Sequence, residues 1–392
     1  MKITKIESLV VRSPNDHAPE SGLVDMNPIG TTTGGTGLWR KLDLDYPAYP
    51  NEHTQFTLVK ISTDENITGW GQCHAPLAPH VHVAVISDLL APVLIGEDPR
   101  NVDVLWERMY STQRLRGYDS GFFIQSVAGI DLALWDILGK SLNVPIYRLL
   151  GGKYRDQIPT YLWLKGDSAS AYAESARVAF ASGYSAVKMN VHKIDDLEFV
   201  TAVSKVIGGR GQVLVVATGL KLYEAVKVGR ELDRLGNVGW LQEPLLPEDA
   251  LGYRELTKAI DTPVCYGAFL ANRFHFREAF ASESVDIINP DICYCGGLSE
   301  CRKIALLADA YGVLWSPHVS MVSPISMAAS LHLAAATPNF VILENADQSK
   351  APLGNVLLKR PLEYFPGYAK VPETPGLGVE FDEHRMAEVV VN

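Results

Sequence analysis

Several apolar runs of this sequence end in side chains that could move protons or bind polar groups. Lys188 lies in "SAVKMNV", Gln242 in "WLQEP", Asp291 in "NPD", His318 in "SPH" and Glu344 in "VILE". An imidazole that is hydrogen-bonded to a carboxylate has a fixed tautomer and a raised basicity, and a general base needs both. Whether these side chains can act together depends on the elements that carry them.

Short apolar runs alternate with helical patterns from Ile158 onward. They are "PTYLWLK", "SAVKMNV", "QVLVVAT", "VGWLQEP", "PVCYG", "VDIINPD", "VLWSPH" and "FVILE". Each run is too apolar to have one face in water, and buried strands joined by helices are typical of a parallel sheet. We therefore predict an α/β fold with a modified (β/α)7-8 TIM barrel over residues 131–350. In such barrels the chemistry lies where the strands end.

The N-terminal part has a different pattern. Residues 2–12 and 55–63 read as strands of a small antiparallel sheet, and residues 84–150 read as helical. We predict an α+β capping domain over 1–130, with a Gly-, Thr- and Pro-rich lid loop over about 16–54. The Pro- and Gly-rich tail, 351–392, is expected to return to this domain and complete it.

Composition excludes several classes of protein. The chain has 392 residues, 47% of them apolar, and a formal charge of −10, which argues against a nucleic-acid surface. No segment approaches 18 continuous apolar residues and no signal peptide is recognisable, so we expect no membrane contact and a cytoplasmic location. Five cysteines in so long a chain fit reduced thiols better than a disulfide framework.

Three long segments resemble a known family. "GIDLALWDILGKSLNVPIYRLLGG", "GGLSECRKIALLADAYGV" and "SPISMAASLHLAAATPNFVILE" are similar to the matching segments of the enolase superfamily, in its mandelate racemase/muconate lactonizing enzyme-like branch, which includes acid-sugar dehydratases. The resemblance covers nearly the whole chain. It implies an α+β cap over a modified TIM barrel, a small sugar or sugar-acid substrate and a homo-oligomer. It also implies proton abstraction next to a carboxylate, with Mg²⁺ held by acidic residues that end the third, fourth and fifth strands.

The three metal-ligand positions that this resemblance implies are not acidic here. They are occupied by Val216 or Ala217, by Gln242 and by Ala268. A hard cation such as Mg²⁺ needs carboxylate oxygens, and one amide does not replace three charges. We therefore predict no metal cofactor. A relocated soft-metal site on His192, Cys293 or Cys295 stays open as an alternative.

The proton-transfer residues of the family are present, by contrast. By resemblance, Asp291 and His318 correspond to its Asp–His dyad, and Glu344 to the acid that hydrogen-bonds the substrate's carboxylate or enediolate. Lys188 corresponds to a lysine near the substrate carboxylate. A second lysine, which serves as base on the opposite face in racemases, is replaced by Asn190, so two-face racemisation is not expected.

Further side chains are candidates for binding the substrate. Strand alternation directs Lys188, Asn190 and His192 to the same side. The predicted substrate-binding set is Asn190, His192, Tyr161, Trp163, Gln242 and Tyr266. His74, His80 and His82 of the cap are weaker candidates, because the corresponding region of the family approaches the active site.

Three functions fit these residues. The first is a metal-independent lyase or isomerase, in which the dyad removes a proton next to the carbonyl of a sugar-like substrate; a ketone, aldehyde or lactone is acidic enough for this without a metal. The second is a Mg²⁺-dependent acid-sugar dehydratase whose ligands lie elsewhere. The third is a non-catalytic homologue that binds a sugar acid.

Overall fold

The computed structural model describes residues 1–13, 55–74, 78–191, 194–319, 323–344 and 353–391. The predicted lid over 16–54 and the candidate His192 lie outside these residues. The described chain forms a cap, built around a four-stranded sheet, and a barrel of parallel strands.

The cap sheet is antiparallel, with the strand order β14–β1–β2–β3. Its strands are β1 (Ile3–Arg12), β2 (Gln55–Thr63), β3 (Thr68–Cys73) and β14 (Val390–Val391). Because β14 is the last strand of the chain, the tail completes the cap as predicted. Gly71 in β3 lets a helix pack very closely, since a Cβ atom there would lie 1.8 Å from the carbonyl oxygen of Gly129.

Four helices belong to the cap and to its connection with the barrel. They are α1 (Pro79–Val85), α2 (Val102–Ser111), α3 (Gly121–Ser141) and α4 (Ile146–Leu149). In the described part of the chain, α3 alone is long and apolar enough to cross a membrane, but its apolar window is 83% buried. It is therefore the core helix between the sheet and the barrel, and the predicted domain boundary at residue 130 falls inside it.

The barrel has all eight predicted strands. They are β4 (Gln157–Trp163), β5 (Ala186–Asn190), β6 (Gln212–Val216), β7 (Val238–Gln242), β8 (Val264–Tyr266), β9 (Ile287–Ile288), β10 (Leu314–Trp315) and β11 (Leu343–Glu344). Successive strands pair in parallel from β4 to β10, and β11 pairs with β4. A parallel bridge between Trp315 and Phe340 joins β10 to the segment before β11 and closes the ring.

Helices follow the barrel strands, and a small hairpin follows β11. The helices are α5 (Ala169–Ser182), α6 (Leu197–Ile207), α7 (Leu222–Asp233), α8 (Ala250–Ala259), α9 (Arg273–Ala281), α10 (Leu298–Ala310), α11 (Pro324–Ala336) and the tail helix α12 (Glu383–Val389). Side chains of Ser168, Asp249, Asn272 and Ser323 accept bonds from first-turn amides, which starts α5, α8, α9 and α11. The hairpin, β12 (Tyr364–Phe365) and β13 (Tyr368–Lys370), extends the sheet next to β4. Short 3₁₀ or π turns occupy Ile86–Leu90, Ala91–Val93, Arg114–Arg116, Ile194–Asp196, Gly208–Arg210 and Asn355–Leu357.

Side-chain alternation along the strands defines the interior of the barrel. One cluster inside the barrel consists of Tyr161, Ala186, Leu214, Trp240, Cys265, Ile287 and Ile342. The residues two positions further along their strands therefore also point inward, at the carboxyl ends. We call these residues the mouth layer: Trp163, Lys188, Val216, Gln242, Gly267, Asn289 and Glu344. Ala217 packs in the outer core instead, so Val216 occupies the third-strand ligand position.

The cap is fixed to the barrel by buried polar contacts. Asp131 of α3 accepts hydrogen bonds from the amide (3.0 Å) and the hydroxyl (2.6 Å) of Ser299 at the start of α10. The same hydroxyl accepts a bond from Trp135 Nε1 at 2.8 Å, and Trp106 Nε1 donates to the carbonyl of Gly296 at 2.7 Å. These bonds hold α2 and α3 against the loop and the helix that follow β9.

Asp131 is expected to make the stability of the protein depend on pH. Burial raises the pKa of Asp131 to about 7, although the bonds from Ser299 and the charge of Lys303 oppose the rise. The folded pKa thus lies above the unfolded one, so the folded state binds more protons between about pH 4 and 7 and loses stability as pH rises through that window. The side chain of Asp131→Asn cannot ionise. The free energy of unfolding of this variant, relative to the wild type, should therefore rise by about 2 kcal/mol from pH 5 to pH 8.

Urea unfolding at both pH values measures this difference. Asp156→Asn is the control, because the Asp156 side chain is 87% exposed and its variant should show no such gain. Equal differences between Asp131→Asn and the wild type at pH 5 and pH 8 would contradict the expectation.

Candidate functional site

The structure brings Asp291 and His318 together at the barrel mouth. Asp291 follows β9 and His318 follows β10, and the two residues form a parallel bridge. His318 Nδ1 lies 3.0 Å from Asp291 Oδ2. The other carboxylate oxygen, Oδ1, accepts the amide of Cys293 at 2.8 Å, which fixes the plane of the carboxylate. Both residues are buried, at 1% and 7% exposure.

This contact determines which imidazole nitrogen can accept a proton. A carboxylate holds the ring hydrogen on Nδ1, so that Nε2 keeps its lone pair. Nε2 has no hydrogen bond to any residue that the structure describes. This geometry would allow His318 to act as a general base, with Asp291 orienting the ring and stabilising its protonated form.

Lys188 and Glu344 form a second group within the mouth layer. Lys188 Nζ lies 3.7 Å from Glu344 Oε2 and 3.4 Å from the Tyr161 hydroxyl, which itself donates to Glu344 Oε2 at 3.1 Å. Nζ also lies 4.4 Å from the Trp163 ring. Burial lowers the pKa of Lys188, and the charge of Glu344 opposes this. The positive charge of Lys188 is thus largely compensated inside the protein.

Two amide oxygens near the mouth lack partners. Gln242 Nε2 donates to Asn289 Oδ1 at 3.3 Å, but Gln242 Oε1 is buried without a hydrogen bond to any described residue. Asn190 Oδ1 is likewise buried and has no hydrogen bond to any described residue. Because unpaired buried acceptors are costly, these oxygens are suited to accept hydrogen bonds from a ligand's hydroxyl groups.

The residues at the three family ligand positions do not fit Mg²⁺. Val216 and Ala268 offer hydrocarbon only, and Gln242 offers one amide oxygen, whereas Mg²⁺ requires hard anionic donors. In the neighbouring Glu243, Oε1 accepts the amides of Gly267 and Ala268 at 2.8 Å each, whereas Oε2 is buried without a hydrogen bond to any described residue. Burial raises the pKa of Glu243, although the two amides lower it. No group of three His, Cys, Asp or Glu side chains in the described residues could hold a metal.

The cysteines named as possible soft ligands lie in the core. Cys293 and Cys295 are both fully buried. Burial raises the pKa of each thiol well above its ordinary value, which disfavours the thiolate that binds metals. Their other suggested partner, His192, lies outside the described residues.

One predicted substrate contact is wrong. Tyr266 faces outward from β8, because its neighbour Cys265 points into the barrel. The Tyr266 ring stacks on Tyr253 with centroids 3.8 Å apart, and its hydroxyl lies 3.0 Å from Ser284 Oγ. It therefore cannot line the mouth. Tyr161 does face the interior, but it is fully buried. Its link to the mouth is the hydrogen bond that its hydroxyl donates to Glu344.

The cap contributes one histidine of its three candidates. His80 is exposed on α1, and His82 is buried with bonds to Ser126 and to the carbonyl of His74. His74 is buried next to Tyr294, with ring centroids 5.5 Å apart. Its surroundings include the dyad, since the charges of Asp291 and His318 both act on the pKa of His74.

Two aromatic residues at the mouth were not found from the sequence. Phe269 contacts the rings of both His318 and Tyr294, with centroids 6.1 and 6.0 Å apart. Phe269 follows β8, and Tyr294 lies in the turn after Asp291. Aromatic residues after strands are common, so their spacing gave no signal for this placement.

Comparisons with known proteins agree with the fold. The family model "Mandelate racemase / muconate lactonizing enzyme, N-terminal domain" matches residues 48–151, and "Enolase C-terminal domain-like" matches residues 171–385. D-galactarolactone cycloisomerase of Agrobacterium fabrum is 33% identical over 84% of this chain and 90% of its own length. D-galactonate dehydratase of Ralstonia pickettii is 31% identical over 85% of this chain and 91% of its own length. The crystal structure of the 3,6-anhydro-D-galactonate cycloisomerase from Zobellia galactanivorans superimposes with a TM-score of 0.82 at 28% identity, covering all of both chains.

Proposed function

Since the chain belongs to the mandelate racemase/muconate lactonizing enzyme branch of the enolase superfamily and is an enzyme of lyase or isomerase type, we propose that it acts on a sugar acid or its lactone without a divalent metal. The similarity to a sugar-acid dehydratase and to two cycloisomerases supports the substrate class. The observation that carries the proposal is the contact of 3.0 Å between His318 and Asp291 beside ligand positions that hold no carboxylate.

The first chemical step follows from the dyad. Nε2 of His318 takes the proton from the carbon next to the substrate's carbonyl, and the electron pair of that C–H bond moves onto the carbonyl oxygen. The resulting enolate then expels an oxygen substituent from the neighbouring carbon, and that oxygen takes the proton from the imidazolium. Alternatively, where the reacting carbon carries a hydroxyl group, the hydroxyl proton moves to the enolate oxygen and the imidazolium protonates the former carbonyl carbon. Asn190, where a racemase has a second base, cannot accept a proton, so the described residues favour reaction on one face.

Electrostatics favour an activated carbonyl over a free carboxylate as the reacting group. Abstraction next to a carboxylate places two negative charges on one group, which a divalent cation normally stabilises. The mouth instead offers Lys188, whose charge Glu344 compensates at 3.7 Å, beside the negative Asp291. A lactone or ketone develops a single charge and has a far more acidic α-hydrogen. We therefore propose a lactone or related carbonyl form of the sugar acid as the substrate.

The polar lining fits a polyhydroxylated molecule. The free oxygens Gln242 Oε1 and Asn190 Oδ1 can accept hydrogen bonds from sugar hydroxyl groups. Trp163, half-buried and packed on Lys188, offers an apolar ring face beside them. Glu344 keeps a small exposed fraction of 7% and can accept a further hydroxyl.

Metal removal tests the proposal directly. The purified protein, dialysed against EDTA, is assayed with D-galactarolactone, D-galactono-1,4-lactone, 3,6-anhydro-D-galactonate and D-galactonate. We expect turnover of a lactone or anhydro acid that changes less than about twofold on chelation or on addition of Mg²⁺, because no described residue set fits the ion. Activity that is lost with EDTA and restored by Mg²⁺ would establish the metal-dependent dehydratase instead.

Location and assembly stay predictions. A cytoplasmic location and a homo-oligomer follow from the sequence and from the resemblance to the family, and we keep both as proposals. Sedimentation of the purified protein would measure the assembly.

A further inference from the structure

We propose that His74 of the cap is a further catalytic residue, which donates a hydrogen bond to the substrate oxygen on which negative charge develops. This inference rests on the proposed function and adds the group that would stabilise the enolate there. It starts from a buried imidazole that packs against the site from the cap.

The backbone of His74 is held firmly. It directly follows Cys73, the last residue of β3, which pairs with Thr57 of β2. The carbonyl oxygen of His74 lies 3.0 Å from His82 Nε2, and the other nitrogen of His82 lies 2.8 Å from Ser126 Oγ of α3. This interlocking of β3, α1 and α3 sets the direction of the His74 side chain in advance.

A chain of ring contacts leads from His74 to the dyad. His74 meets Tyr294 edge to face at 5.5 Å, Tyr294 contacts Phe269 at 6.0 Å, and Phe269 contacts His318 at 6.1 Å. The amide of Tyr294 also donates to the carbonyl of Asp291 at 2.9 Å. His74 and His318 thus lie at the two ends of one aromatic wall, with the mouth beside it.

The ring nitrogens of His74 distinguish it from the structural histidines. His82 and His332 each bind a carbonyl oxygen through Nε2, at 3.0 and 3.2 Å. His74 is only 6% exposed, and no other described residue is hydrogen-bonded to its ring nitrogens, although its own backbone carbonyl raises its pKa as a hydrogen-bond acceptor. Within the described residues, the His74 ring is therefore available to bind a ligand atom.

The surroundings of His74 favour its neutral form. Burial lowers the pKa of His74, Asp291 raises it, and His318 lowers it again; His82 and Tyr294 also face it. When His318 takes the substrate proton, its positive charge disfavours a second cation nearby. A neutral imidazole still has one N–H, which can stabilise an oxyanion in a buried site without giving up its proton.

Two donors of the mouth layer are already engaged by described residues. Lys188 is engaged by Glu344 and Tyr161, and Gln242 Nε2 by Asn289. In the proposed step the C–H proton goes to His318 Nε2 and the electron pair to the carbonyl oxygen. The N–H of His74 bonds that oxygen more strongly as its charge grows.

Two variants of His74 test the inference. His74→Phe keeps the ring volume but removes the donor, and should lower kcat about 10²- to 10³-fold with a smaller change in KM, as for loss of one oxyanion donor. His74→Gln keeps an N–H donor and should lose about tenfold. His80→Gln, an exposed change on α1, is the control and should match the wild type. Equal losses in the Phe and Gln variants, or full activity in both, would overturn the inference.

A binding measurement separates this inference from the proposed function. D-galactonohydroxamate, whose carbonyl oxygen takes the position of the developing enolate oxygen, is titrated by calorimetry into the EDTA-treated wild type and both variants. We expect about tenfold or greater loss of affinity in His74→Phe and a smaller loss in His74→Gln. If the wild type turns over nothing but shows this pattern, the proposed function fails while the hydrogen bond from His74 stands. Equal hydroxamate affinity in all three proteins overturns the inference whatever the turnover.

Discussion

His318→Asn is expected to lower kcat about 10²- to 10⁴-fold, because general base catalysis contributes a factor of that size and the Asn side chain cannot take the proton. The side chain of Asn is close in size and polarity, so substrate affinity should change much less than turnover. Steady-state kinetics measure the loss. Exchange of the substrate's α-hydrogen with deuterated water, followed by NMR, should fall in parallel.

His384→Asn is the matched control for this variant. The His384 side chain is 88% exposed on α12, far along the chain from the strand ends, and its replacement should leave kcat unchanged. Retention of a tenth or more of the activity in His318→Asn would show that another residue is the base. If neither the wild type nor the variant turns over any sugar acid or lactone while both bind one equally, the chain is a non-catalytic binding protein.

The barrel could be predicted from the sequence because its strands are buried on both faces. Runs such as "QVLVVAT" carry no polar face, and that pattern has few solutions other than a parallel sheet covered by helices. The ends of these runs then located Lys188, Gln242 and Glu344 in the mouth layer. For these residues, position along a strand was enough.

The side of the sheet to which a side chain points is harder to predict where a strand is short. β8 has three residues, Val264–Tyr266, so a small error in parity sends Tyr266 to the mouth instead of the outer core. The same ambiguity applies to Val216 and Ala217, since the sequence does not show which of them faces the mouth. Leu214 belongs to the interior cluster, so Val216, two residues further along, faces inward. Side chains alternate at every step, so element type alone does not decide such positions.

The role of His74 could not be derived from local pattern at all. Its contact with Tyr294 joins residues more than two hundred positions apart and depends on how α3 seats the cap on the barrel through Asp131 and Ser299. Lys188 gives a similar lesson, since its ion pair with Glu344 joins β5 to β11. The position of His74 and the ion pair of Lys188 both depend on tertiary packing, which cannot be read from the periodicity of the sequence.

The loop after β8 shows how the mouth is built around neutral ligand positions. The amides of Gly267 and Ala268 converge on Glu243, which sits at a positive φ of 50° directly after Gln242. This local bonding fixes the loop without any acidic side chain at position 268. The fifth-strand end therefore has its own structural support, whereas Asp291 and His318 follow the next two strands.

Asp291→Asn is expected to lower kcat about 10³- to 10⁴-fold although the imidazole of His318 remains, since the change blocks the base by its tautomer. The variant's amide oxygen can still accept the amide of Cys293, which lies 2.8 Å from Asp291 Oδ1 in the wild type. Its NH₂ group then faces His318 Nδ1 and must donate to it. Nδ1 thereby becomes the acceptor, the ring hydrogen moves to Nε2, and the nitrogen that faces the substrate has no lone pair to offer.

Nitrogen-15 NMR of labelled histidine identifies this tautomer independently of activity. In Asp291→Asn we expect the Nε2–H form of His318, and in the wild type the Nδ1–H form. Asp286→Asn serves as control: Asp286 lies just before β9, at the opposite end of the strand from Asp291, and accepts the amide of Val264 at 2.8 Å, which an Asn oxygen can also do. It should keep kcat within about threefold. Near-normal turnover in Asp291→Asn, or loss of turnover with the Nδ1–H tautomer intact, would show that Asp291 does not act by orienting His318.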